Sequence, residues 1–344
     1  RRQRQMCIRD RVCRKGVKMN DPRLDYANEY PVEISAPDIS GYKKTNTGVD
    51  YILTLDSGFP GPHVLVTAVV HGNEPCGAIA IDWYLKNNFR PKEGKLTFGF
   101  MNIEAYLAFD PENPNRTRWV DEDFNRLWAP GVLEEKNGSK TYEFFRANEV
   151  KHIISDADFL LDIHSMQKPC VPLMMAGMLD KGITLAKNLN YEIKIITDSG
   201  HKEGMRMRDY GDFSNPESKK NALLVECGQH WEKSSEDVAI ETLIKFLRHT
   251  GVMDNNFGED IISNEIVSSN QIEVFKVGEI VTIKTNNFKF EKNWQGFDKL
   301  TKGSVIGKDG DEIIYAPFEE TILIMPTKRL FPGKTAVRLA YNVD

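Results

Sequence analysis

No stretch of this sequence stays apolar for the roughly 18 residues that a membrane-spanning helix needs, and no typical secretory signal stands near its start. A soluble, cytoplasmic protein without a membrane partner is therefore the expectation. Cysteine is scarce: Cys7, Cys13, Cys76, Cys170 and Cys227 are scattered, odd in number and without a Cys-x-x-Cys pair. Neither a disulfide framework nor a zinc ribbon is indicated, and free thiols in a reducing compartment are the simpler reading. Repeat arrays and low-complexity tracts are missing as well. A net excess of positive charge is confined to one place. Residues 1–18 hold eight Lys/Arg against one Asp, a net +7 in a chain of −5, which leaves −12 for the remainder. A basic arm for nucleic acid or anionic lipid is one reading of that segment. Its opening Arg-Gln-Arg-Gln-Met-Cys-Ile-Arg-Asp-Arg is similar to a translated sequencing-library adapter, so residues 1–18 are expected to be a non-native leader, and no nucleic-acid partner is expected.

What remains is an ordinary globular composition, 40% hydrophobic and 28% charged, in a chain of 344 residues, long enough for one large domain and a smaller one. Tyr51–Leu55 alternates as a strand does, and Gly58–Pro62 is a turn. The apolar run Val64–Val70 reads as a buried strand that delivers His71-Gly72-Asn73-Glu74 into a turn, with Pro75 suited to the first position of a helix reaching about Asn88. Lys95–Met101 returns to strand character. Residues 102–130 lack a period but are dense in polar groups, and a loop that long is more often functional than idle. A helix is expected over Thr141–Ile154, then a strand, Phe159–His164, which again ends on a histidine. A helix over Lys181–Leu189 follows, and Ala222–Glu226 is a third apolar strand ending on a functional group. Ser234–His249 is a helix with Ser234 and Ser235 as cap candidates. The expected fold class is α/β, a central mixed sheet flanked by helices. We place a boundary near residue 255, giving a catalytic domain over 19–255 and a small all-β C-terminal domain over 256–344. The glycine pattern of this tail looks a little like a biotinyl/lipoyl-type barrel without its attachment lysine, so a structural cap is expected.

His71, Glu74 and His164 supply two imidazoles and one carboxylate at the ends of two expected strands. That is the ligand set of an open, catalytic zinc site, one ion per chain, whereas structural zinc sites are closed and usually cysteine-rich. Hydrolysis at such a site needs a carboxylate to take and return a proton, and Glu226 is the candidate. Each residue has an ordinary alternative: a strand-end histidine can be a hydrogen-bonded structural group, Glu226 a salt-bridge partner, Arg118 a solvated loop charge. Asp162, on the same strand face as His164, either orients that imidazole or makes an ordinary buried hydrogen bond. His230 and Trp231 either line a pocket or pack; Cys76 and Cys227 read as small buried residues.

The segment from about 50 to 250 resembles the succinylglutamate desuccinylase/aspartoacylase family. Four motifs in order carry the resemblance: His71-Gly72-Asn73-Glu74, Asp123-Phe124-Asn125-Arg126, Asp162-Ile163-His164 and Val225-Glu226-Cys227-Gly228. It implies a zinc carboxypeptidase-like fold and hydrolysis of the amide of an N-acyl amino acid, a small-molecule substrate. It further implies that Arg118 polarises the scissile carbonyl, while Asn125 and Arg126 grip the substrate's α-carboxylate. Aspartoacylases place a tyrosine near the substrate carboxylate; here Ile324 or Met325 stands there and Tyr315 is some way off, a departure from N-acetylaspartate specificity. A metallocarboxypeptidase acting on peptide C-termini shares the chemistry, and a non-catalytic zinc-binding module shares the ligands, although no ligand or base is lost. The acyl group, the amino acid and any homo-oligomer stay open.

Overall fold

The computed structural model describes residues 21–134, 140–200, 203–262 and 272–343, so the expected leader lies outside the described residues. Strands β1 (Ile52–Asp56) and β2 (His63–Ala68) precede helix α1 (Cys76–Lys86), and β3 (Lys95–Phe100) leads to the short α2 (Ile103–Leu107). After a run of 3₁₀ turns come α3 (Tyr142–Asp156), β4 (Phe159–Met166), β5 (Leu173–Met175), α4 (Asp180–Asn188), β6 (Lys194–Thr197), β7 (Asn221–Gln229) and α5 (Lys233–His249). The remainder is β: β8 (Val274–Thr282), β9 (Phe288–Phe290), β10 (Lys299–Thr301), β11 (Val305–Asp309), β12 (Glu312–Tyr315), β13 (Glu320–Ile324) and β14 (Thr335–Asn342).

The expected central mixed sheet is present. Its order is β1-β3-β2-β4-β7-β5-β6-β8-β14-β13-β10, and a second, three-stranded sheet runs β12-β11-β9. β2, β4 and β7 lie side by side and parallel, which explains their nearly unbroken apolar character: helices cover both faces. On one face Val64, Val66, Leu161, Ile163, Leu223 and Val225 pack with residues of α1 and α5; on the other Leu65, Leu160 and Ala222 pack with Phe144, Ala147, Val150 and Ile154 of α3. Side chains alternate along a strand. The second face therefore reads Leu160, Asp162, His164 along β4 and Ala222, Leu224, Glu226 along β7. It changes from apolar to functional as the strands leave the cover of α3.

Two sequence expectations shift in detail. α5 begins at Lys233 with Glu232 in the cap position and no side-chain cap, so Ser234 and Ser235 lie inside the first turn. Ser235 Oγ donates back to the Glu232 carbonyl at 2.7 Å instead. The polar loop also holds α2 within it. Beyond residue 272 the strands add to the same large sheet: β8 pairs in parallel with β6, Ile195 opposite Val274, and then carries β14 and β13. A shared cluster of Met166, Met175, Leu224, Phe275, Ile322 and Ile324 closes that seam, bringing the segment after β13 over the end of β4 and β7.

Candidate active site

The turn that carries His71 and Glu74 is built on backbone that few residues tolerate. Val69, directly after β2, has φ 52°, a left-handed conformation that costs a β-branched residue of order 1–3 kcal/mol and persists only where its surroundings enforce it. Gly72 follows with its amide donating to the Arg118 carbonyl at 3.0 Å; a Cβ there would sit 2.3 Å from the backbone of Ala105 and 2.5 Å from the Thr117 carbonyl oxygen. The glycine of His-Gly-Asn-Glu is thus a close approach of three segments. Trp231 closes the turn from the other side, its indole N–H donating to the Asn73 carbonyl at 3.1 Å. Pro75, in right-handed helical conformation, leads into α1.

This turn sets His71 and Glu74 against His164. His71 Nδ1 lies 2.8 Å from Glu74 Oε1, and His164 Nδ1 lies 2.9 Å from Glu74 Oε2. One ligating atom from each residue falls within 4.8 Å of the others, and all three side chains are buried. For all its closeness to Glu74, His71 Nδ1 has no partner in hydrogen-bond geometry among the described residues. The outer nitrogens are both engaged by carboxylates: His71 Nε2 faces Asp123 Oδ1 at 3.0 Å, and His164 Nε2 faces Asp162 Oδ2 at 2.9 Å. In the tautomer whose Nε2–H donates outward, each imidazole would present the Nδ1 lone pair inward, the carboxylate–histidine arrangement known to orient metal ligands. Two nitrogens and a carboxylate oxygen that converge in this way fit a divalent ion such as zinc. Burial alone would raise the Glu74 carboxyl, yet the two imidazoles hold it well below the usual range. For His164 burial works downward, but Asp162 and Glu74 prevail and raise it well above an ordinary histidine.

Glu226 stands opposite His164 in the β4–β7 register, hence on the same face of the neighbouring strand. Burial pushes its carboxyl up to about 8, and its Oε2 has no hydrogen-bond partner among the described residues. Gly228, two residues on within β7, has φ +112°, a conformation that few residues other than glycine adopt. Both strands run past the expected ends, β4 to Met166 and β7 to Gln229, with a register irregularity just after His164. Arg118 Nη1 donates to Glu74 Oε1 at 2.7 Å, and its Nη2 lies 3.0 Å from His71 Nε2. It is buried against Glu74 and His71, which excludes the solvated-loop alternative. Asn125 Nδ2 is 3.5 Å from His164 Nε2, while its Oδ1 accepts from the Met207 amide at 2.8 Å. Arg126 Nη1 donates to the Asn125 carbonyl at 2.7 Å. All seven expected site residues thus line one pocket.

Sequence reasoning left Asp123 without a role. The signal available was local: Asp123 Oδ1 also caps the Asn125 amide at 3.0 Å, an Asx turn that the Asp-x-Asn spacing permits. Missed without any signal were Glu203, Arg206, Arg329, Lys334 and Arg338, which reach the pocket from distant segments. His230 lines it too, with Nδ1 2.9 Å from Ser165 Oγ, and burial lowers it to about 3, keeping it neutral. Met325 forms part of the wall where the resemblance would place a tyrosine, whereas Tyr315 is half exposed on β12 and absent from the lining.

Comparison with known proteins bears on the family and the fold. The succinylglutamate desuccinylase of Vibrio campbellii is 22% identical over 298 residues, covering 82% of this chain and 81% of the relative. The structure of the succinylglutamate desuccinylase from Vibrio parahaemolyticus superposes with a TM-score of 0.63 at 16% identity, covering 86% of this chain and 87% of the other. Murine aminoacylase 3 gives a TM-score of 0.57 at 18% identity, covering 83% and 96%. At such identities the structural likeness concerns the fold. No helix among the described residues is long and apolar enough to cross a membrane. The model of the succinylglutamate desuccinylase/aspartoacylase catalytic domain matches residues 60–249, more than half of the chain, and the chain belongs to that family.

Proposed function

We propose that this protein is a zinc-dependent hydrolase of N-acyl amino acids, cleaving the amide to a carboxylate and an amine. The observation that carries this reading is the convergence of His71 Nδ1, Glu74 and His164 Nδ1 beside Glu226, within a pocket that also holds Arg118, Asn125 and Arg126. His71, Glu74 and His164 would hold the ion. The chemistry zinc supplies in such a site is polarisation of the acyl oxygen and lowering of a water's pKa to about 7.

The chain's own residues do the rest. Glu226 takes a proton from the attacking water and returns it to the leaving nitrogen, so the C–N bond breaks without a free amide anion. Its raised proton affinity suits a group that must both accept and donate near neutrality. Arg118 stabilises the negative charge that develops on the acyl oxygen. Asn125 and Arg126 receive the α-carboxylate, the latter through its planar fork. Asp123 and Asp162 keep both ligand imidazoles in the tautomer that presents Nδ1. The test is a panel of N-acyl amino acids and short peptides with the zinc-loaded and the chelator-stripped protein. Chelator-sensitive turnover of acyl amino acids with one zinc per chain is expected; preferential cleavage of peptide C-termini, or no turnover with zinc bound, would overturn the reading.

A further inference from the structure

Three consecutive backbone amides of the polar loop point at one side chain outside the pocket lining. Glu143, in the first turn of α3, is fully buried. Its Oε1 accepts from the Val120 amide at 2.7 Å, and its Oε2 accepts from the amides of Asp121 at 3.1 Å and Glu122 at 3.3 Å. Asn102 Nδ2 completes the set, donating to Oε1 at 3.0 Å. The loop returns the grip: Asp121 Oδ2 accepts from the Tyr142 amide at 2.8 Å, and Glu122 accepts from the Thr141 hydroxyl.

All four of these donors are neutral, and burial raises Glu143 to about 7 in spite of them. A carboxylate buried at that cost calls for an explanation, and the positions of its donors supply one. Residues 118–123 form neither helix nor strand, so no ladder fixes them. Val120 follows Arg118 by two residues and Glu122 directly precedes Asp123, while Arg118 donates to Glu74 and Asp123 faces His71 Nε2. The three amides are thus the middle of a span whose two ends touch the candidate metal ligands. Asn102 carries the brace further, because its own amide donates at 3.0 Å to the carbonyl of Val69, the left-handed residue ahead of His71. Glu143 itself stands on a helix of 15 residues that packs on Leu65, Leu160 and Ala222 of the central strands. It therefore refers the loop to the same strands that deliver His164 and Glu226.

We propose that Glu143 is a positioning residue of this site: by gathering the amides of residues 120–122 it sets Arg118 against Glu74 and Asp123 against His71, without touching substrate. The part that runs through Arg118 rests on the proposed hydrolysis; the part that runs through Asp123 rests on zinc binding alone. Both carboxylate oxygens are needed. In Glu143→Gln the side chain keeps its volume, but one oxygen becomes an NH₂ group facing backbone donors, and at least one amide loses its acceptor. The span between Arg118 and Asp123 relaxes while α3 and the sheet keep their packing.

The experiment is a pair of double-mutant cycles, each protein first checked for a native thermal transition. One cycle combines Glu143→Gln with Arg118→Ala and reads kcat on N-acetylmethionine; the other combines Glu143→Gln with Asp123→Asn and reads zinc affinity by competition with a chromophoric chelator. Alone, Glu143→Gln should lower kcat by about 10- to 100-fold, the scale of a small misplacement of a catalytic group, and zinc affinity by about 10-fold. In the Arg118→Ala and Asp123→Asn backgrounds the same change should cost less than about 3-fold, because the group it positions is already gone. A purely structural glutamate would cost the same factor in either background, and additivity in both cycles would overturn the proposal. Should Glu143→Gln lack a native transition, Asn102→Ala, which removes one donor of four, enters the same cycles: a smaller but non-additive loss supports the positioning role, and no loss or an additive one sinks it. If no acyl amino acid is cleaved, the hydrolase reading fails alone and the zinc cycle decides. Backbone hydrogen exchange over residues 118–126 of the metal-free protein gives a readout apart from both. Exchange about 10-fold faster there in Glu143→Gln, with β4 and β7 unchanged, is expected, and exchange as slow as in the wild type would overturn the proposal whatever the metal or substrate.

Discussion

The two walls of the pocket are built on different terms. On the sheet-borne wall, His71, Glu74, His164 and Glu226 come from the ends of parallel strands whose register is fixed by the backbone ladder, and nearly every charge is answered: Asp123 to His71, Asp162 to His164, Glu74 to both. The other wall includes residues of β14 and of the connection before it. There Lys334 and Arg338 are answered by Glu203 and Asp198, while Arg329 meets the Gln167 amide and no carboxylate among the described residues. A compensated cluster keeps its geometry whichever substrate enters; an uncompensated cation makes the substrate part of the balance. Changes on the first wall should therefore slow all substrates alike, whereas changes on the second should reorder them.

Glu226→Gln gives the largest expected effect. It keeps the shape of the side chain and removes the proton acceptor, so kcat should fall by about 10²–10⁴ in the same proportion for every substrate, with zinc content unchanged. A loss that differed between substrates would dissolve the distinction between the walls. Arg118→Ala should follow at about 10²–10³, again in kcat. Because Arg118 touches Glu74 but also shares Trp119 with Arg329, its kinetics place the border: an effect confined to KM would move it to the substrate-selecting side.

The same contrast explains what could be read from the chain. Period-two alternation puts Asp162 and His164 on one face, and apolar runs that end in functional groups announce β2, β4 and β7. Their mutual arrangement follows because parallel strands between helices must be central. Asp123 was less legible, since its contact with His71 spans 52 residues and only its turn-forming role is local. Arg206, Arg329, Lys334 and Arg338 could not be assigned at all. They sit singly in loops or in strands of ordinary composition, and which charges meet in the pocket depends on β8 adding to β6, a pairing that no local pattern encodes. Val69 was likewise unreadable as the end of β2: its β-branched side chain argues for strand, and tertiary contacts enforce the turn.

Asp162→Asn tests whether the compensation of the first wall is functional. An amide at that position no longer selects the Nε2–H tautomer of His164, so zinc affinity should drop by about 10- to 100-fold, measured by competition with a chromophoric chelator. Asp123→Asn should do the same through His71. Unchanged affinity in both variants would mean that these carboxylates serve packing, and that the walls differ less than their charges suggest.

His230 gives the smallest effect and the finest test, because it stands on the sheet-borne side, beside Ser165, yet faces the cationic wall. Burial lowers its folded-state pKa to about 3, whereas an unfolded histidine titrates near 6.5. Between those values the unfolded chain binds a proton that the folded chain refuses. The contribution to stability is therefore complete above about pH 6.5 and is lost as pH falls toward 3, with a limiting slope of about 1.4 kcal/mol per pH unit. His230→Gln should remove this slope while keeping a hydrogen-bond partner for Ser165. Urea unfolding of the two proteins at pH 7 and pH 5 should show the wild type losing about 1–2 kcal/mol more than the variant over that interval. If both lose the same amount, His230 accepts a proton in the folded state, water reaches it, and it belongs with the wall that exchanges charge with the substrate.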